Sequence, residues 1–365
     1  MAVHNGFPEM LKRYVRTNTS YGEGIEIARI AGVNLRKRNI IIFAAVAIIG
    51  LGAAGWYMMR PNPKEHLIVS TTTSLYETGL LDVLKARFEA EYPEYNVSFI
   101  SQGTGLAIET AKRGDADMIL VHDPSSELGF LDSGCGVNRK IIAYNFFIIV
   151  GPESDPAEIS GLGPVEALLK IAEEGPKVNA LWVSRGDNSG THSKEKSLWK
   201  DTGLDLEELK TQKIEGSDST WYIEAGAGMT ATLQFADQKD AYTLADVGTF
   251  LKNLKMGNIQ LVKVVESGKE TLNVYSAIAC NPEKNRGDKF DGAMVFIKFL
   301  VSDEVQELLE DFGEDEYGST LFEPWVKALK ANSDAELIGW VEEYAYFEGS
   351  ECPAKYRYKS GDLYG

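Results

Sequence analysis

From Leu67 onward the chain alternates short apolar runs with segments of helical period. Leu67-Ile68-Val69, Val97 with Phe99, and Met118–Val121 read as strands, whereas Leu80, Leu81, Leu84 and Phe88 recur at the spacing of one helix face. A second helix covers residues 106–113, after Gly103-Thr104-Gly105. This strand and helix rhythm predicts a parallel sheet with right-handed crossovers, and such sheets collect ligands at the carboxyl ends of their strands. Residues 140–150 form one long apolar strand, able to pass from one lobe into another, with Ala241-Tyr242-Thr243-Leu244 as the return. Between them fall a helix over 165–174, a strand at Leu181 and helices up to Lys239. Strands over 261–265 and 273–279 and helices over 289–300 and 303–312 follow. Tyr317, Phe322, Trp325, Trp340 and Tyr344 predict helices packed on the body, and residues 349–365 read as a loose tail.

The chain before Leu67 follows another pattern. Residues 39–59 are an uncharged, mostly apolar run directly after Arg36-Lys37-Arg38, and a bilayer is crossed by roughly 20 residues of helix. The basic cluster assigns residues 1–38 to the cytoplasm and the large remainder to the outside. The expectation is an uncleaved signal anchor at 39–59 and a stiff linker at 60–65 containing Pro61 and Pro63. Gly50, Gly52, Ala53, Ala54 and Gly55 also suit a signal peptidase, which leaves cleavage, and a secreted or periplasmic product, open.

The net charge of −17 argues against nucleic acid or an anionic membrane face as the main partner. It also means that any affinity for an anion must come from short-range donors. Cys135, Cys280 and Cys352 lack the paired spacing of a metal site, so no metal centre is expected.

Such donors are concentrated in Ser184-Arg185-Gly186-Asp187-Asn188-Ser189-Gly190-Thr191-His192, between the strand at Leu181 and a helix over 191–199. Helix-start amides favour negative charge, glycines let the backbone approach, and Arg185 supplies a fixed cation able to fork onto two oxygens. The set suits a tetrahedral oxyanion. Each residue has an alternative role: Arg185 as ion-pair partner of Asp187 or Glu195, Thr191 as a helix cap, Ser189 as a turn residue, His192 as a structural hydrogen bonder. A serine hydrolase built on Ser189, His192 and Asp187 lacks the G-x-S-x-G elbow.

With Ser70-Thr71-Thr72-Thr73-Ser74, Gly103-Thr104-Gly105, Leu120-Val121-His122-Asp123, Tyr144-Asn145-Phe146 and the Ser184 to His192 stretch, residues 66–325 resemble the periplasmic tungstate-binding proteins of ABC transporters. The resemblance implies an α/β, type II periplasmic-binding-protein fold: two α/β lobes joined by two crossing strands, here preceded by the N-terminal transmembrane helix. Lobe 1 is expected at 66–147 and 246–348, lobe 2 at 148–245, and the tail at 349–365. It further implies that Thr72, Thr73, Ser74 and Thr104 join Arg185, Ser189 and Thr191 as oxyanion-binding residues. Departures are Phe146, where similar proteins carry an acidic residue, Val247, where they carry arginine, and the missing lipobox cysteine.

The implied function is non-enzymatic: an extracytoplasmic solute-binding protein that closes on tungstate and hands it to an ABC permease, with the oxyanion as cargo and no cofactor. Molybdate, nearly equal in size and shape, is not separable on physical grounds, and sulfate and phosphate are further alternatives. A shell of donors alone penalises phosphate, whose proton needs an acceptor. A membrane-tethered sensor signalling through residues 1–38 is a third class.

Overall fold

Strand β1 (Glu65–Thr72) buries Leu67 and Val69 and pairs in parallel with β2 (Tyr95–Gln102) along its whole length and with β3 (Met118–Val121). The structure is a computed structural model that describes residues 63–364, apart from 179, 267, 285–288 and 333, together with Ile40. The expected anchor at 39–59, save Ile40, and the segment before it lie outside the described residues. Among the described residues no helix is long and apolar enough to cross a membrane.

Each crossover begins where a strand end caps a helix. Thr72 closes β1 and accepts from the Leu75 amide, starting α1 (Thr73–Glu77) ahead of α2 (Leu80–Glu91). Gly103 precedes α3 (Thr104–Lys112), and Asp123 caps α4 (Pro124–Asp132), which has proline in its first turn. Leu80, Leu81, Leu84 and Phe88 of α2 are buried, as their spacing requires.

Strand β4 (Gly136–Gly151) joins two cores. Its first part, to Phe146, lies antiparallel to β9 (Leu272–Cys280), and from Phe147 it pairs antiparallel with β7 (Thr243–Asp246) and then β8 (Val262–Val265). The chain between β4 and β7 forms α5 (Pro164–Val178), β5 (Trp182–Ser184), α6 (Gly190–Asp201), α7 (Leu206–Thr211), β6 (Tyr222–Glu224) and α8 (Met229–Gln238). Helix α9 (Val247–Lys255) connects β7 to β8. β5 is parallel to β6 and bridges to Tyr242, just before β7. This second core, built on Trp182, Trp199, Trp221 and Tyr242, continues beyond residue 245 to Phe250, Ile259, Leu261 and Val265, because β8 also pairs with β4.

β9 returns the chain to the first sheet, between β4 and β3, where α10 (Phe290–Leu300) packs with α2 over the core of Phe88, Phe296 and Phe299. There follow α11 (Asp303–Asp311), β10 (Glu323–Pro324), α12 (Trp325–Ala331) and α13 (Ala335–Ala345).

The expectation of a loose tail at 349–365 is corrected by its contacts. Glu351 pairs with Lys140 and accepts from the Ile141 amide at 3.1 Å, while Arg139 donates to the Glu351 carbonyl at 2.8 Å. The Tyr358 amide donates to Asn138 and the Tyr364 hydroxyl to the Arg139 carbonyl, each at 2.8 Å. The cause is Asn138-Arg139-Lys140, three polar residues buried in β4, whose groups are costly without partners. The apolar run beginning at 140 drew attention away from them. Glu351→Ala leaves the Lys140 ammonium unanswered, so urea unfolding is expected to show a loss of about 2 kcal/mol. No change in midpoint would contradict this role for the C-terminal segment.

Candidate functional site

The carboxyl ends of β1, β2, β3, β5 and β7 carry Thr72, Gly103, His122, Arg185 and Asp246. After β5 the chain turns through Gly186 and Asn188, both left-handed at φ +62° and +56°. That turn sets Ser189 as the cap of α6, its Oγ accepting from the His192 amide at 3.3 Å. The Asn188 amide donates to His192 Nδ1 at 3.0 Å, and Asp187 Oδ1 accepts from the Ser189 amide at 3.1 Å.

Arg185 is 1% exposed. Its Nη2 is ion-paired with Asp187 and lies 3.5 Å from Thr73 Oγ1, and its Nη1 lies 3.4 Å from Thr191 Oγ1. The two threonine contacts are at the long limit of hydrogen bonding and leave both hydroxyl protons uncommitted to the guanidinium. Among the described residues, Arg185 Nε and Thr104 Oγ1 are buried without a hydrogen-bond partner. Gly190 belongs at the same place: a Cβ there would fall 3.2 Å from Thr104 Oγ1 and 3.0 Å from His122 Cε1. A side chain would therefore block the approach of α6 to the first core.

Thr73, Thr104, Arg185, Ser189 and Thr191 thus converge, with Ser189 Cα 3.9 Å from where a Gly103 Cβ would be. Thr72 and Ser74 are beside them: Thr72 Oγ1 caps α1 as Ser189 Oγ caps α6, and Ser74 Oγ is 3.0 Å from His122 Nε2. The residues of the hydrolase alternative face separate partners, since His192 Nδ1 takes the Asn188 amide and Asp187 holds Arg185. Glu195, the other ion-pair candidate, instead accepts from Trp182, Ser184 and Tyr222 inside the second core, where burial raises its pKa.

Sequence reasoning left His122 and Asp246 out of the site. Burial pushes His122 down to about 4, and Asp246, which accepts from the Thr249 amide at 2.8 Å, is raised by burial to about 6. The signal available was their position, immediately at the end of a strand like Thr72. With Asp187 and Asp246 nearby, the expectation of a surrounding without any acceptor is corrected: one carboxylate is tied to Arg185, the other is easily protonated.

Beside His122 and Gly190 is a cavity of about 390 Å3, lined also by Tyr344 and Phe347. There Lys194 Nζ sits 3.8 Å from the Tyr344 ring centroid and donates to the Glu270 carbonyl at 3.1 Å, with burial lowering its pKa to about 8. A larger groove of about 710 Å3 between α5 and α7 is rimmed by Glu166, Glu173, Asp205 and Glu208 and is unsuited to an anion.

His122 titrates near 4 in the fold against 6.5 for an ordinary imidazole, so the unfolded chain protonates first and stability is lost as pH falls through that interval. Asp246, raised to about 6 from 3.8, has the opposite sign: the folded state protonates first, and stability is gained as pH falls through its interval. His122→Phe removes only the first contribution. Its stability deficit against wild type in urea titrations is therefore expected to shrink by up to about 3 kcal/mol between about pH 7 and pH 4. A deficit independent of pH would contradict a buried neutral imidazole.

A family model for the PBP (periplasmic-binding-protein) superfamily domain matches residues 53–304. A Haloferax volcanii protein named for ABC-transporter anion binding is 43% identical over 273 residues, covering 73% of this chain and 74% of the relative. The tungstate-binding protein TupA of Peptoclostridium acidaminophilum is 35% identical over 299 residues, covering 79% of this chain and 98% of the relative. The structure of the tungstate ABC transporter from Geobacter sulfurreducens superposes with a TM-score of 0.60 at 38% identity, covering 69% of this chain and 100% of that one. The chain belongs to the PBP superfamily and, within it, to the family of ABC-transporter tungstate-binding proteins that these relatives represent.

Proposed function

We propose that the protein captures tungstate between its two cores and delivers it to an ABC permease. The observation that carries this reading is that two buried donors without partners among the described residues, Thr104 Oγ1 and Arg185 Nε, fall at one convergence of loops. A tetrahedral dianion supplies acceptors on several sides, so it can satisfy both at once, together with the hydroxyls of Thr73, Ser189 and Thr191. The ion pair with Asp187 positions the guanidinium and reduces its net charge, which places more of the affinity on hydrogen bonding. Molybdate offers the same shape and charge and is the second cargo.

The two lobes of this reading are the bodies around the two cores, with α9 and β8 grouped with the second. Thr73 and Thr104 belong to one and Arg185, Ser189 and Thr191 to the other, so a shared anion favours the closed arrangement. Residues 39–59 tether the protein to the membrane, leaving the binding domain outside and residues 1–38 inside. The reaction is capture and release, with no bond made or broken in the cargo.

Isothermal titration of the full chain is expected to give one site for tungstate and for molybdate. Arg185→Ala is expected to weaken tungstate at least about a hundredfold, near 3 kcal/mol. An Arg185→Ala variant of wild-type affinity would contradict the assignment.

A further inference from the structure

We infer that His122 is a positioning residue of this site: it accepts the hydrogen bond of the Ser74 hydroxyl and thereby decides which hydroxyls are free to donate to the anion. The inference rests on the oxyanion reading above and adds the polarity of the site to it.

The argument starts at a backbone carbonyl. Leu321 O can only accept, so the Asn145 atom 3.0 Å from it is the amide nitrogen. Asn145 Oδ1 then faces Asn273, whose Nδ2 donates to it at 2.8 Å and lies 2.9 Å from the Tyr275 hydroxyl. That leaves Asn273 Oδ1, which carries no proton, 2.7 Å from His122 Nδ1, so the ring proton is on Nδ1. The buried imidazole is neutral at physiological pH, and Nε2 is bare. Ser74 Oγ, 3.0 Å away, must donate to it. The competing acceptor, Thr72 Oγ1, is at 3.4 Å, beyond the usual O–H···O range of about 2.5–3.0 Å.

Tyr275 stacks on the ring with centroids 5.0 Å apart, Phe147 is 5.9 Å away, and the two hydrogen-bonded nitrogens hold its orientation beside the cavity it lines. The charged groups that bear on it are Asp123, which favours protonation, and Arg185 and Lys194, which oppose it. Ser74 therefore presents lone pairs, while Thr73 and Thr191, which accept from Arg185, and Thr104 keep their protons for a ligand. Asn145 and Asn273 stand on β4 and β9 near the point where β4 leaves the first sheet, so the tautomer is set from the strands that join the two cores.

The test is a double-mutant cycle read by isothermal titration of the full chain with tungstate. Ser74→Ala is expected to weaken binding at least about tenfold more in the His122→Phe background than in the wild-type protein, because only there is the hydroxyl free to donate. Equal effects in the two backgrounds would overturn the inference. Thr104→Ala is the companion arm: weakened binding upholds the anion site beneath the inference, whereas wild-type affinity overturns that reading itself. Nitrogen-15 spectra of the His122 ring give a readout independent of affinity. A protonated Nδ1 and bare Nε2 at neutral pH, with and without tungstate, are expected, and the reverse tautomer or an imidazolium would overturn the assignment.

Discussion

Removing a guanidinium from water costs several kcal/mol unless its charge and its hydrogen bonds are answered, and Arg185, at 1% exposure, has been removed almost entirely. Asp187 answers the charge from two residues away, across the left-handed turn at Gly186. Thr73 and Thr191 answer at the limit of hydrogen-bond length, and among the described residues Nε is unanswered. The group is neutralised but under-bonded. That condition is what a multivalent acceptor such as a tetrahedral oxyanion relieves.

The fold serves this condition by bringing strand ends together. Parallel strands of one sheet deliver Thr72 to Ser74, Thr104 and His122, and β5 of the other core delivers Arg185 to Thr191. Because β4 belongs to both sheets, the two sets of donors are held across one continuous backbone. The hydrogen-bonded line from Leu321 through Asn145, Asn273 and His122 to Ser74 ties that backbone to the cradle. Gly190 lets the second core approach His122 and Thr104 without steric conflict.

Local patterning made much of this legible in advance. Leu80, Leu81, Leu84 and Phe88 announced α2, and the cap and glycine chemistry around Arg185 announced a loop between β5 and α6. What resisted reading depends on partners distant in sequence. The protonation and orientation of His122 are set by Asn273, 151 residues away, and nothing near His122 encodes them. The C-terminal segment lacks periodicity, which predicts a loose tail, yet it answers Arg139 and Lys140 more than 200 residues before it. Asp187 was legible only as one of two choices, since sequence spacing did not decide between it and Glu195.

Tungsten scatters anomalously, so diffraction from crystals of the full chain grown with tungstate, recorded at the tungsten absorption edge, reports the position of the anion directly. The account predicts one strong anomalous peak among Thr73, Thr104, Arg185, Ser189 and Thr191, with oxygens within hydrogen-bond reach of Thr104 Oγ1 and Arg185 Nε. A peak elsewhere, or none in crystals that contain the fully loaded protein, would contradict it.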